Sequence, residues 1–132
     1  MIDYGAEEFT EGRPHPIIDP SLRNGRASEE LRRDDVGSVI IDVVAGTGAP
    51  TDLIERTLRT LNAVDPLADK LVIRYVGTSS DVQSAGLPML KESGALLAPS
   101  NAIAALAAIH MVTGQSEIAE RLFRTYVTGE GV

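Results

Sequence analysis

The sequence predicts an α/β domain built on a parallel sheet, and three observations carry that prediction. Ser38–Ala45 and Leu71–Val76 are near-continuous β-branched and apolar runs, interrupted only by Asp42 in the first and by Arg74 and Tyr75 in the second. Runs of that kind suit strands covered on both faces. Each is followed by a turn of small residues and then by a segment with helix signals. Strand–helix alternation in one chain calls for crossover connections and parallel pairing.

The elements follow in order. Pro14, Pro16 and Pro20 restrain the first twenty residues, so 1–20 is expected to be an extended arm, with a short strand over His15–Asp19. Ser21 offers an N-cap for a helix over Leu22–Arg33. After the strand at 38–45, Gly46-Thr47-Gly48-Ala49-Pro50 breaks the chain, and Thr51 or Asp52 opens a helix to about Ala63. There Leu53, Ile54, Leu58 and Leu61 form one apolar stripe. The strand at 71–76 ends at Gly77-Thr78-Ser79, and Ser80 with Gln83 is a capping box for a helix to about Ser93. Pro88 is expected to kink or divide that helix, and Gly94 to stop it. Ala95–Ala98 is a short strand, Asn101–Val112 an alanine-rich helix, and Ser116 to about Val127 a last helix. The prediction is one Rossmann-like domain over 21–132, with about four strands and helices on both faces.

Composition narrows the class. The chain has 132 residues, 43% of them hydrophobic and 23% charged, the balance of a single globular domain. Its lack of cysteine excludes disulfides and cysteine-ligated metals. With two histidines, His15 and His110, a histidine-rich metal site is excluded as well. A net charge of −7 argues against nucleic acid as a partner. No apolar run approaches the ~20 residues of a membrane span, and the acidic start does not read as a signal peptide. The expected location is the cytoplasm.

Ligands of open parallel sheets bind outside the carboxyl ends of the strands. Here those ends are Asp19–Asn24, Gly46–Pro50, Gly77–Ser80 and Pro99–Asn101. Each leads into a helix start whose free N–H groups favour an anion. Gly46-Thr47-Gly48 lacks both the third glycine of a dinucleotide loop and the Gly-Lys-Ser/Thr ending of a P-loop. His15, held between two prolines, suits a phosphate contact or an acid–base group, and equally a packing role. His110 is expected on or beside a packed helix face. Asp42 and Arg74 cannot both be ordinary core positions, and a mutual ion pair is the simplest account.

Gly12-Arg13-Pro14-His15-Pro16-Ile17-Ile18-Asp19-Pro20-Ser21-Leu22-Arg23-Asn24 resembles a motif of the FdrA-type acyl-CoA synthetase family. Ile40–Ala49 resembles the Leu-Asp-Val-Val-x-Gly-x-Gly-Ala segment that follows in that family. More distantly, 41–50 and 72–80 are similar to the glycine loop and the Val-Arg-x-x-Gly-Thr strand end of the succinyl-CoA synthetase β-subunit. The resemblance covers roughly residues 2–110. It implies a flavodoxin-like CoA-ligase domain, the C-terminal module of those enzymes, which helps form the site where acyl phosphate and CoA meet. Some FdrA-type proteins are instead associated with carbamoyl transfer between oxalurate and carbamoyl phosphate.

Acyl and carbamoyl phosphates present anionic oxygens that preorganised N–H groups and arginine stabilise. The resemblance therefore points to Gly46, Thr47 and Gly48 as a backbone cradle and to Arg23 as its charged contact. Thr78 and Ser79 come next, then Ser100 and Asn101, with Asp19 supporting the turn or pairing Arg23. If Arg23 faces solvent, its removal is expected to cost little stability. The phosphohistidine loop and the nucleotide- and CoA-binding modules of the synthetases are not found in this chain. It therefore reads as a small subunit or split domain, inactive alone and needing larger synthetase- or transferase-type subunits or self-association. Its substrate would be a small anion. The chain is expected to bind no cofactor by itself, with CoA or carbamoyl phosphate as candidates in the full complex. A non-catalytic docking or CoA-sensing module is the other reading.

Overall fold

The computed structural model describes residues 2–45, 49–62, 70–77 and 86–115, together with 117 and 121. The elements run α1 (Glu7–Thr10), α2 (Ser21–Leu31), β1 (Val39–Ala45), α3 (Leu53–Leu61), β2 (Leu71–Gly77), α4 (Gly86–Glu92), β3 (Leu96–Ala98) and α5 (Asn101–Thr113). The three strands form one sheet in the order β1-β2-β3, both pairings parallel. This is the α/β, flavodoxin-like architecture expected from the sequence, with one strand fewer among the described residues.

The missing strand is the one expected at His15–Asp19. There the chain turns instead: the N–H groups of Ile18 and Asp19 both donate to the His15 carbonyl, at 2.8 and 3.0 Å. Pro14, Pro16 and Pro20 have no N–H to give a ladder, so a turn that uses the available donors locally is favoured over a strand. Upstream, α1 and its flanking turns fold residues 3–13 back on themselves, so the arm is not extended throughout.

Alternation along the strands divides the sheet into two faces. Ile41 and Val43 of β1 and Leu71 and Ile73 of β2 pack with Ala27 and Leu31 of α2, Leu53, Leu58 and Leu61 of α3, and Leu90 of α4. Leu53, Leu61, Leu71, Ile73 and Leu90 are fully buried. Each such side chain contributes about 1.5–3 kcal/mol of burial. The opposite face is covered by α5, where Val72 and Ala98 meet Ala104, with Ile103, Ala107 and Met111 alongside. His110 falls outside that stripe and is exposed. The packed-face expectation for it is therefore corrected: residues 104, 107 and 111 turn inward, and position 110 follows the solvent side.

Helix boundaries follow local chemistry. Ser100 caps α5 by accepting from the Ile103 N–H at 3.3 Å. Gly114, at φ 64°, ends α5 by donating to the His110 carbonyl at 2.8 Å, a left-handed C-cap. Pro88 lies in the first turn of α4, where a missing N–H removes no helical bond. The last helix expected from Ser116 and the Ser80–Gln83 capping box lie outside the described residues, apart from positions 117 and 121.

Candidate functional site

All three strands run the same way, so their carboxyl ends share one edge of the molecule. The helices that follow β1 and β3 begin there, and so does α2, whose carboxyl end feeds the amino end of β1. Gly46, Thr47, Gly48, Thr78 and Ser79 lie outside the described residues. Arg23, Asp19, His15, Ser100 and Asn101 are described.

Arg23, in the first turn of α2, is the best-anchored of these. Its Nη1 donates to the Asp42 backbone carbonyl at 2.6 Å, and its Nε and Nη2 donate to Asn24 Oδ1 at 3.1 and 2.9 Å. Nη2 also reaches Thr57 Oγ1 at 3.3 Å, to which Asn24 Nδ2 donates at 3.2 Å. Asn24 and Thr57 are fully buried. The Val39 N–H bonds toward β2, through Lys70. Parallel alternation therefore turns the Asp42 carbonyl to the open edge of β1, where Arg23 satisfies it. Burial lowers the Arg23 pKa, and the nearby Asp42 charge acts in the opposite direction. A guanidinium has five N–H donors; these contacts leave one hydrogen, on Nη1, for anything further. Sequence reasoning placed Arg23 at this edge but missed Asn24 and Thr57. The readable signal was Thr57, a polar residue inside the apolar stripe of α3.

Asp42 is held a second time. Its carboxylate accepts from Arg74 Nη1 at 2.8 Å across the register pair Asp42–Arg74. This is the mutual ion pair expected from the two apolar runs. It lies on the α5 face of the sheet.

Asp19 holds the start of α2. Its Oδ1 accepts from both the backbone N–H and the hydroxyl of Ser21. These two bonds hold its carboxyl below the usual carboxylate range, with Arg56 adding a smaller electrostatic contribution. Ser21 was expected as the N-cap; it is the first helical residue instead, and Pro20 takes the cap position.

His15 Nδ1 accepts from the Ile17 N–H at 3.2 Å, so the neutral ring carries its proton on Nε2. The Nε2 side packs on Gly5, where a Cβ would stand 2.6 Å away.

At the edge itself, the α3 amino end has no side-chain cap, although Asp52 stands at the cap position. The acids there are matched: Asp52 pairs with Arg56 at 3.0 Å, and Glu55 pairs with Arg59. At the α5 start, Ser100 Oγ is engaged in capping, while Asn101 is exposed. At the α3 start the Leu53 N–H donates to the Pro50 carbonyl at 3.1 Å, and Asp52 and Glu55 are matched by arginines, so the positive end of the helix dipole there favours an anion over a cation. No group of three metal-ligating side chains occurs among the described residues. No helix among them is long and apolar enough to cross a membrane.

Comparison with known proteins adds two findings. A family model described as CoA-ligase matches residues 1–111. The chain is also similar to the uncharacterized protein YahF of Escherichia coli (strain K12), at 34% identity over 109 residues. That match covers 76% of this chain and 21% of YahF, so the chain spans about a fifth of that relative's length.

Proposed function

The chain belongs to the CoA-ligase family, and from that premise we propose that it is the phosphate-site module of an FdrA-type acyl-CoA synthetase-like enzyme. The observation that carries this reading is the α3 amino end, which has no side-chain cap and follows the Gly46-Thr47-Gly48 segment in sequence, at the carboxyl edge of a parallel sheet. In the proposed site, backbone N–H groups of Gly46–Gly48 hold the phosphoryl oxygens of an acyl phosphate. Thr78, Ser79, Ser100 and Asn101 approach from the neighbouring strand ends. When the CoA thiolate attacks the acyl carbon, the S–C bond forms and the C–O bond to phosphate breaks. Charge gathers on the departing phosphate oxygens, where fixed N–H dipoles stabilise it.

Arg23 has a changed part in this scheme. With its donors largely committed to Asp42, Asn24 and Thr57, it ties α2 to the open edge of β1. At most its remaining Nη1 hydrogen reaches ligand.

We also propose that the module works with larger subunits that bring CoA and nucleotide. Two features support association. Gly94–Gln115 contains no Asp, Glu, Lys or Arg, so the outer side of α5, apart from exposed Asn101, His110 and Thr113, is made of small and apolar residues. Ile40, Val76 and Leu96, on the sheet face that α5 shields in part, remain 37–44% exposed. A helix with so few polar residues on its outer side is characteristic of a position covered in a larger assembly.

The test is reconstitution. The chain is assayed alone and with the proteins encoded beside it, for acyl-CoA formation and for carbamoyl phosphate turnover. The expected result is no turnover alone and acyl-CoA formation in the complex. Turnover by the isolated chain, or a complex equally active without it, would overturn the proposal. Carbamoyl transfer without acyl-CoA formation would move the same site to the other chemistry.

A further inference from the structure

The folded arm forms a half-open pocket of about 280 Å³ against the start of α2. Tyr4 and Phe9, with ring centroids 5.0 Å apart, form an aromatic wall, and Pro14, Pro16 and Leu22 complete an apolar lining. Gly12, at φ 70°, reverses the chain after α1. His15, packed on Gly5 and bonded to Ile17, closes the loop.

Two charged groups line the same cavity, and both keep unused capacity. Arg13 is exposed, and its guanidinium has no hydrogen bond or ion pair among the described residues. Asp19 spends Oδ1 on Ser21, while its Oδ2 accepts no hydrogen bond among the described residues. One free cation, one free carboxylate oxygen and an apolar wall are complementary to a ligand with three matching parts. A carboxylate meets Arg13, an N–H donor meets Asp19 Oδ2, and an apolar side chain meets Tyr4, Phe9 and Leu22. A bare anion does not match, because Asp19 would repel it; a bare amine leaves Arg13 unmatched.

We propose that this cavity binds a small apolar carboxylic acid bearing an N–H group, the chemistry shared by apolar α-amino acids and their N-acyl derivatives. The proposal is independent of the strand-end reading, since no residue of the cavity belongs to the Gly46–Gly48 cradle.

The experiment is an NMR titration of the full chain with four probes. L-phenylalanine and N-acetyl-L-phenylalanine carry both polar groups, 3-phenylpropanoate lacks the N–H, and 2-phenylethylamine lacks the carboxylate. The expected result is saturable shifts at Tyr4, Phe9 and Leu22 with at least one of the first two. That probe should bind roughly tenfold more tightly than either trimmed probe, about the worth of one charge-assisted hydrogen bond. Arg13→Gln, at an exposed position, should weaken it by a similar factor. Binding of phenylalanine but not its N-acetyl form assigns a charged amine to Asp19; binding of both assigns any N–H. The proposal is overturned by absence of shifts, by equal affinity for the trimmed probes, or by affinity unchanged in Arg13→Gln. Phosphate responses at 46–48 are read in a separate titration, so either idea can fail alone.

Discussion

Arg23 and Asp42 are joined through the backbone rather than through their charges. Arg23 Nη1 donates to the Asp42 carbonyl at 2.6 Å, while the Asp42 carboxylate is taken by Arg74 at 2.8 Å. One strand residue thus receives two arginines on two different acceptors. The first closes the open edge of β1 and ties it to α2 and α3; the second ties β1 to β2.

Arg23→Ala should therefore destabilise the fold, in contrast to the small effect expected of a solvent-facing arginine. It removes the partner of the Asp42 carbonyl and the donors to buried Asn24, a loss of about 1–3 kcal/mol. Arg23→Lys should recover only part, because an ammonium cannot reproduce the planar fork. Urea denaturation of the three proteins measures both effects, and an unchanged midpoint for the alanine variant would refute the structural role.

For Asp42 and Arg74 the expected coupling is smaller. Their side chains are 53% and 25% exposed, and such pairs typically contribute about 0.2–1 kcal/mol. A double-mutant cycle with Asp42→Asn and Arg74→Gln should give a value in that range that shrinks in high salt. A coupling of several kcal/mol, insensitive to salt, would mean that the pair is shielded by something further.

Leu61→Ala tests the main core. Leu61 is fully buried in the cluster joining α3 to the sheet, and the change should cost about 2–5 kcal/mol. Thermal or urea unfolding measures it. A loss below about 1 kcal/mol would mean that the α3 interface collapses to refill the space.

Asp19 has a pH signature. Its carboxyl titrates below its usual value because Ser21 donates to the ionised form. A depressed folded-state pKa contributes stability that is present above the unfolded value of about 3.9 and is lost as pH falls through the folded one. Asp19→Asn should thus be less stable than the parent near neutral pH, and the two curves should converge below about pH 4. Parallel curves down to pH 2 would remove Asp19 from the acid response.

What was legible in the sequence was whatever depends on local pattern. Val39–Ala45 and Leu71–Gly77 follow the apolar runs within a residue, and charges embedded in those runs, Asp42 and Arg74, had to meet if the strands were neighbours. Glycines at 94 and 114 mark helix ends because only their backbones accept the turn easily. What was not legible depends on long-range geometry. The pairing of Asn24 with Thr57 spans 33 residues, and no local rule brings α2 and α3 into that register. The arm misled the strand assignment because Ile17 and Ile18 look like strand residues, whereas the donors at 18 and 19 had a nearer acceptor in His15. In the candidate site, the edge itself was legible from topology. The commitment of Arg23 to its own backbone was not, since free and engaged arginines look alike in sequence.

The proposed anion site at the strand-end edge is open to a titration of the isotope-labelled chain with inorganic phosphate. The account predicts saturable, millimolar-range shifts of the backbone amides of Gly46, Thr47 and Gly48, with smaller shifts at 78–79 and 100–101. It also predicts their loss in Gly48→Val, where Cβ bulk blocks the approach. Shifts confined to exposed arginines elsewhere, or an undiminished response in Gly48→Val, would contradict it.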